Sequence, residues 1–194
     1  MEITERFERW IKVSIGLGRF EPFMMPLIQN LGRLDDQLCK KDAQIVRTYE
    51  TQNTDLTDHD FLSEHITLSY LWVLGAYEAI RTLTQQARDL PDEAPANVLV
   101  RLREAKSRFA RLRVPLAKME PASAHKDTDS HIAYPGVHFQ YGIAWQVNET
   151  LLISRRELSD LFLETLEFAR AVKLNQQASS SNTSLQETPA SWRP

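Results

Sequence analysis

Apolar residues along this chain recur mostly with the 3.6-residue period of a helix, and the densest of them fall in one run, Leu68 to Leu83 (LSYLWVLGAYEAIRTL). In that run they point in every helical direction, which predicts a buried helix at the centre of the fold. It is too short and too polar for a membrane span. Gly75 sits mid-run at a helix penalty of about 1 kcal/mol, so close approach of a second helix is expected there. Glu78 and Arg81 interrupt the apolar surface at i, i+3, a spacing at which side chains meet.

Other helices flank it. Ile3, Phe7, Trp10 and Ser14 predict an amphipathic helix over 3–15, with a strand as competitor because Ile11, Val13 and Ile15 alternate. Gly16, Gly18, Pro22 and Pro26 then interrupt the pattern. From Pro26, suited to a first turn, Leu27, Leu31, Leu34, Leu38 and Ile45 keep one face to about Tyr49. Asp35, Asp36, Lys40, Lys41 and Asp42 are assigned mostly to the opposite one. A polar connection, TQNTDLTD, follows, and Thr57 with Asp60 resembles the start of the central helix, which runs to about Arg88.

After a loop at 90–95, Asn97 is a candidate cap for a helix over 98–119, with Val98, Leu102, Ala105, Phe109, Leu112, Leu116 and Met119 as its core stripe. Pro115 should kink it or end it near Val114. Residues 120–142 show neither period. Ile143, Trp145 and Val147, then Thr150 to Ile153, read as a β-hairpin turning at Asn148-Glu149. Ser154-Arg-Arg-Glu157 is a capping box that opens a last helix to about Leu174. Asn175 to Pro194, rich in Ser, Gln, Thr and Asn, reads as a disordered tail. The expected fold is all-α: a single domain over 1–174 with a bundle of four to five helices and a small hairpin at about 143–153.

Composition narrows the function classes. At 194 residues, 42% apolar and 25% charged, the chain suits one soluble globular domain. A net charge of −3 argues against a wholly electrostatic nucleic-acid binder. The single Cys39 excludes an intramolecular disulfide and suits a reducing compartment. The acid-bearing start, MEITERFERWIKV, is not a secretory signal, so a cytoplasmic location and no membrane partner are expected.

Three constellations could carry chemistry. In an extended segment His125, Asp127, Asp129 and His131 would project together, a plausible donor set for zinc, manganese or iron. A solvated loop is the preferred reading, so no cofactor is expected. The second set is polar residues assigned to the helical core: Glu78, Arg81, Arg113, Lys118 and Glu120. A buried Glu78 would need Arg81 or Arg113 beside it, first as a structural pair, otherwise as a base or anion site. The third is the helix over 98–119 with Arg101, Arg103, Lys106, Arg108, Arg111, Arg113 and Lys118 against Glu104. It could track phosphates, but pairing with Glu157, Asp160, Glu164 and Glu167 of the last helix is preferred.

Arg113 also resembles, in its place within a helical bundle, the arginine of the Arg-x4–6-His pair in helical RNases of the HEPN type. That spacing puts the histidine at Lys118, Met119 or Glu120, and the first histidine after Arg113 is His125. The catalytic base is missing, so the activity is not carried over. No phosphate loop, Cys-x-x-Cys, His-Glu-x-x-His or Gly-x-Ser-x-Gly occurs. The leading expectation is a non-catalytic interaction or regulatory module that binds a protein or itself. The alternatives are an enzyme or small-ligand binder between the central helix, Arg113 and the 120–142 loop, and a nucleic-acid binder through the basic helix.

Overall fold

The computed structural model describes residues 4–17, 22–51, 59–90 and 94–186, with side chains as far as Leu174 apart from Lys173. Five helices, α1 (Glu5–Leu17), α2 (Met24–Glu50), α3 (His59–Asp89), α4 (Ala96–Lys118) and α5 (Arg155–Gln186), are joined by three short strands. Each helix packs on the next, and α5 closes back onto α1. The bundle with a small antiparallel sheet is the architecture the periodicity predicts. Among the described residues no helix is long and apolar enough to cross a membrane. The connection at 52–58, Gly18, residues 91–93 of the 90–95 loop and Trp192 lie outside the described residues, as do the side chains of the expected tail.

The first segment resolves as helix because Trp10, Val13, Ser14 and Leu17 share one buried face at i, i+3, i+4 and i+7. Ile15, which suggested a strand, is exposed. Gly16 belongs to α1 rather than breaking it, and the Arg170 side chain lies 3.0 Å from where its Cβ would stand. The core is strung on aromatic rings. Trp10 meets Phe162 edge-on at 5.5 Å, Phe162 meets Phe109 at 6.0 Å, and Phe109 meets Trp72 at 6.1 Å. These contacts tie α1, α5, α4 and α3 together, and Trp72 Nε1 donates to the Leu31 carbonyl of α2 at 2.9 Å.

The central run is less buried than its pattern implies. Trp72, Val73, Ala76, Ala79, Ile80 and Leu83 face the core, but Leu71 is 52% exposed. α3 is therefore amphipathic, with an outward face through Leu71, Glu78 and Arg81. Gly75 behaves as expected: Leu31 of α2 comes within 3.2 Å of its would-be Cβ. Helix α4 starts from Pro95, with Asn97 already inside it, and runs through a buried Pro115 to end at Met119 in a left-handed conformation (φ 55°). Proline removes only one hydrogen bond and lies within the last turn, so the helix stops soon after it rather than at it.

Residues 120–142 hold a 3-10 turn (Ser123–His125) and strand β1 (Tyr134–His138), which pairs with β2 (Gly142–Gln146). β1 escaped detection because Pro135 and Gly136 break its pattern, and both are tolerated because β1 is an edge strand. β2 pairs with β3 (Leu152–Ser154), Trp145 opposite Ile153. The connection is longer than a two-residue turn: Asn148 Oδ1 accepts from the amides of Thr150 and Leu151 at 3.0 and 2.9 Å. The capping box opens α5 as predicted, with Glu157 N donating to Ser154 Oγ and Ser154 N to Glu157 Oε2, both at 3.1 Å.

Candidate functional site

The largest concentration of charge inside the bundle lies where the sequence reading placed none. Asp35, Cys39 and Asp42 follow one another at i, i+4 and i+7 on α2, so they share a face. That face is the buried one, continuous with Leu31, Leu38 and Ile45. Assigning Asp35 and Asp42 to the solvent side was wrong, since each stands four residues after a core leucine. Between them lies Arg155, the first residue of α5, wholly buried. Its Nη1 donates to Asp35 Oδ1 at 2.5 Å and its Nη2 to Asp42 Oδ2.

Each carboxylate has further partners. Asp35 Oδ2 accepts from Arg6 Nε at 2.6 Å and Trp10 Nε1 at 2.9 Å, and its Oδ1 from Ser159 Oγ at 2.5 Å. Asp42 Oδ1 bonds His65 Nε2 at 2.8 Å and accepts the Ile143 amide at 3.1 Å. That amide approaches because Gly142 adopts φ +76°, and a Cβ there would overlap the Asp42 carboxylate. Burial alone would raise both carboxyls, but Arg155 and then Arg6 hold Asp35 below the usual carboxylate range. At Asp42 the His65 hydrogen bond and Arg155 outweigh burial in the same way.

The cluster therefore joins α1, α2, α3, β2 and α5 through satisfied carboxylates. Asp42 and His65 have the make-up of a carboxylate–imidazole dyad, yet His65 is wholly buried and its Nδ1 has no hydrogen-bond partner among the described residues. Burial pushes the Cys39 thiol up, away from the reactive thiolate. The arrangement works as a clamp.

Outside the clamp a crevice of about 350 Å3 runs between α2 (Cys39, Ala43, Arg47), the β1–β2 turn (Gln140, Tyr141) and α5 (Arg156, Asp160). Arg156 is held by Asp160 at 3.1 Å, whereas Arg47 forms no ion pair among the described residues.

The residues singled out from sequence fall into separate groups. Glu78 pairs with Arg81 at 2.7 Å and with Arg113 at 3.4 Å, as expected, but its side chain is 46% exposed. The burial expected of it is thus corrected, because it lies on the outward face of α3. Lys118 and Glu120 form their own exposed pair at 3.4 Å, apart from that group. His125 to His131 is not extended: the amides of Thr128 and Asp129 both fold back onto the His125 carbonyl. Side chains do not alternate in such a turn, and among the described residues no three His, Cys, Asp or Glu could hold a metal ion. Asp129 instead is buried, chelated by Arg111 Nε and Nη2 at 2.7 and 2.8 Å, with Asn148 Nδ2 at 3.0 Å. The Arg111 hydrogen bonds hold its carboxyl at about 2.

The basic helix differs from expectation in its partners. Two α5 carboxylates turn to α1: Glu167 grips Arg9 at 2.7 and 2.8 Å, and Asp160 takes Arg6 at 2.7 Å. Glu157 serves the cap, and Glu164 is exposed with no ion pair among the described residues. None of these reaches α4. Arg101 rests over the Phe168 ring at 4.3 Å and Arg113 over Tyr77 at 5.0 Å. Arg103, Lys106 and Arg108 have no ion-pair partner among the described residues. With Val98, Leu102, Ala105, Phe109 and Leu112 buried, these cations cover the outward face. In comparisons with known proteins the chain matches no family model, no curated protein and no solved structure.

Proposed function

We propose that this protein is a non-catalytic helical interaction module that docks an acidic protein surface on the outward face of α4. The observation that carries the reading is that Arg103, Lys106 and Arg108 of α4 have no ion-pair partner among the described residues while Glu157, Asp160 and Glu167 of α5 are engaged elsewhere. An uncompensated cationic face attracts and orients an anionic partner. Arginine's planar fork suits carboxylates, and it is enriched at protein interfaces together with Met. Met119 and Val100 are exposed along the same helix at 72% and 50%. Phe109, the aromatic residue of α4, is wholly buried, so the helix itself offers no exposed ring as the stacking platform of a single-strand nucleic-acid binder.

The test is a photocrosslinking residue in place of Ser107, which is exposed between Arg103 and Arg111. Crosslinks in cells to an acidic protein, lost in Arg103→Glu/Arg108→Glu, are expected. Crosslinks to nucleic acid, or none that depend on these arginines, would overturn the reading. A second reading, a small-anion site, is favoured only by the crevice beside Arg47. Isothermal titration with inorganic phosphate, beside Arg47→Ala, checks it.

A further inference from the structure

Where α4 meets the sheet, its basic face borders a groove of about 250 Å3 between α4, β3 and α5. Arg108, Leu151, Leu152, Ile153, Leu158 and Leu161 line it. Its floor is aliphatic, and Leu152 is 36% exposed on it. Two other charged groups at the rim are committed: Arg111 to Asp129, and Glu157 to the α5 cap. Among the described residues of the lining, Arg108 is the cation without an ion-pair partner. The volume falls below the roughly 300–1,000 Å3 of small-molecule pockets, so the space suits anchoring side chains of a larger partner. Among the described residues β3 pairs with β2 and lies at the edge of the sheet.

We infer that this groove is the anchor point of the docking face: it takes an aliphatic side chain from a short acidic segment of a partner protein, while a carboxylate of that segment pairs with Arg108. This rests on the α4 docking reading and adds the partner's chemistry to it. Charge complementarity selects the acidic segment, and the leucine-lined floor selects its aliphatic anchor. Buried anchors surrounded by polar contacts carry most of the affinity in such interfaces.

The experiment is fluorescence anisotropy of the full chain with three labelled peptides: an amphipathic Glu/Leu peptide, its Lys/Leu counterpart, and a Glu/Ser peptide without aliphatic residues. The Glu/Leu peptide is expected to bind at least about tenfold more tightly than either other. Arg108→Glu and Leu152→Asp should each weaken it by about tenfold or more. Both positions are surface-facing, so an unchanged melting temperature separates lost binding from lost fold. Equal binding of the Glu/Ser and Glu/Leu peptides, with Leu152→Asp silent, overturns the groove while leaving the α4 face as the docking site. Preference for the Lys/Leu peptide, or binding of none of the three, overturns the groove inference. Ser107 crosslinking then decides separately whether the docking reading survives.

Discussion

Replacing Arg155 with alanine isolates the clamp at its centre. The substitution leaves two carboxylates inside the protein, but not in equal difficulty. Asp35 keeps Arg6 at 2.6 Å, with Trp10 and Ser159 still donating. Asp42 keeps His65 and the Ile143 amide but no guanidinium. Stranding one member of a buried pair costs about 3–5 kcal/mol, and a lost guanidinium also leaves its own volume empty. Against a typical total of about 5–15 kcal/mol, the variant should be folded but strongly weakened at neutral pH.

The dependence on pH carries the sharper test. In the wild type both carboxyls lie below their ordinary value. Their contribution is present above the unfolded pKa of 3.8 and is lost only as pH falls through the lower folded value. In the variant Asp42 loses the Arg155 contribution and keeps the His65 hydrogen bond against burial, so its carboxyl moves up from its wild-type position, takes up a proton at a higher pH and is relieved. The stability gap, from urea unfolding at about pH 7 and pH 5, should therefore narrow on acidification. Arg155→Ala with Asp42→Asn should cost at least about 1 kcal/mol less than the sum of the two single changes. A neutral-pH loss below about 1 kcal/mol, or a gap that does not narrow, would refute the clamp.

Asp129→Asn should lose about 2–3 kcal/mol at neutral pH, since a carboxyl held at about 2 against 3.8 is stabilised by nearly two units of about 1.4 kcal/mol each. The loss should fade as pH drops from about 4 toward 2, as followed by urea unfolding, because the contribution disappears once the folded carboxyl is protonated. Gly32→Ala would drive a Cβ into Trp10, and Trp10 cannot withdraw without leaving Asp35. A cost at the upper end of about 1–3 kcal/mol is expected as a lower melting temperature. Glu78→Ala should cost under about 1 kcal/mol by denaturant unfolding, since an exposed pair contributes little. A loss of 3 kcal/mol or more would mean that Glu78 is shielded after all.

These contrasts mark how far the sequence is legible. Helix number, the α5 cap and the close approach at Gly75 follow from local rules: period, box spacing and a missing side chain. The clamp does not, because burial of Asp35 and Asp42 depends on a cation arriving more than a hundred residues later. Its one local trace is their spacing, four residues after Leu31 and Leu38 on the core stripe. Charge type argued for solvent, geometry for the interior, and Arg155 decided for geometry. The central run misled in the opposite sense. Its apolar density predicted burial on every side, but α3 is covered chiefly by α2, α4 and part of α5, which leaves Leu71 and Glu78 outside.

The same long-range logic shapes the candidate site. A wheel drawn on α4 alone shows scattered cations beside an acidic α5, and mutual neutralisation is then the economical guess. It fails because α1 also packs on α5 and brings Arg6 and Arg9 to Asp160 and Glu167. Counter-charge is shared out by the closure of the bundle. The first helix takes Asp160 and Glu167 while Arg103, Lys106 and Arg108 of the fourth stay unpaired among the described residues, so the docking face on α4 follows from the same packing that seals α1 against α5. Exchanging the charges of that seam, with Arg9→Glu and Glu167→Arg together, should therefore leave binding of the Glu/Leu peptide at α4 intact. Loss of that binding with the fold retained would mean that the two faces are coupled.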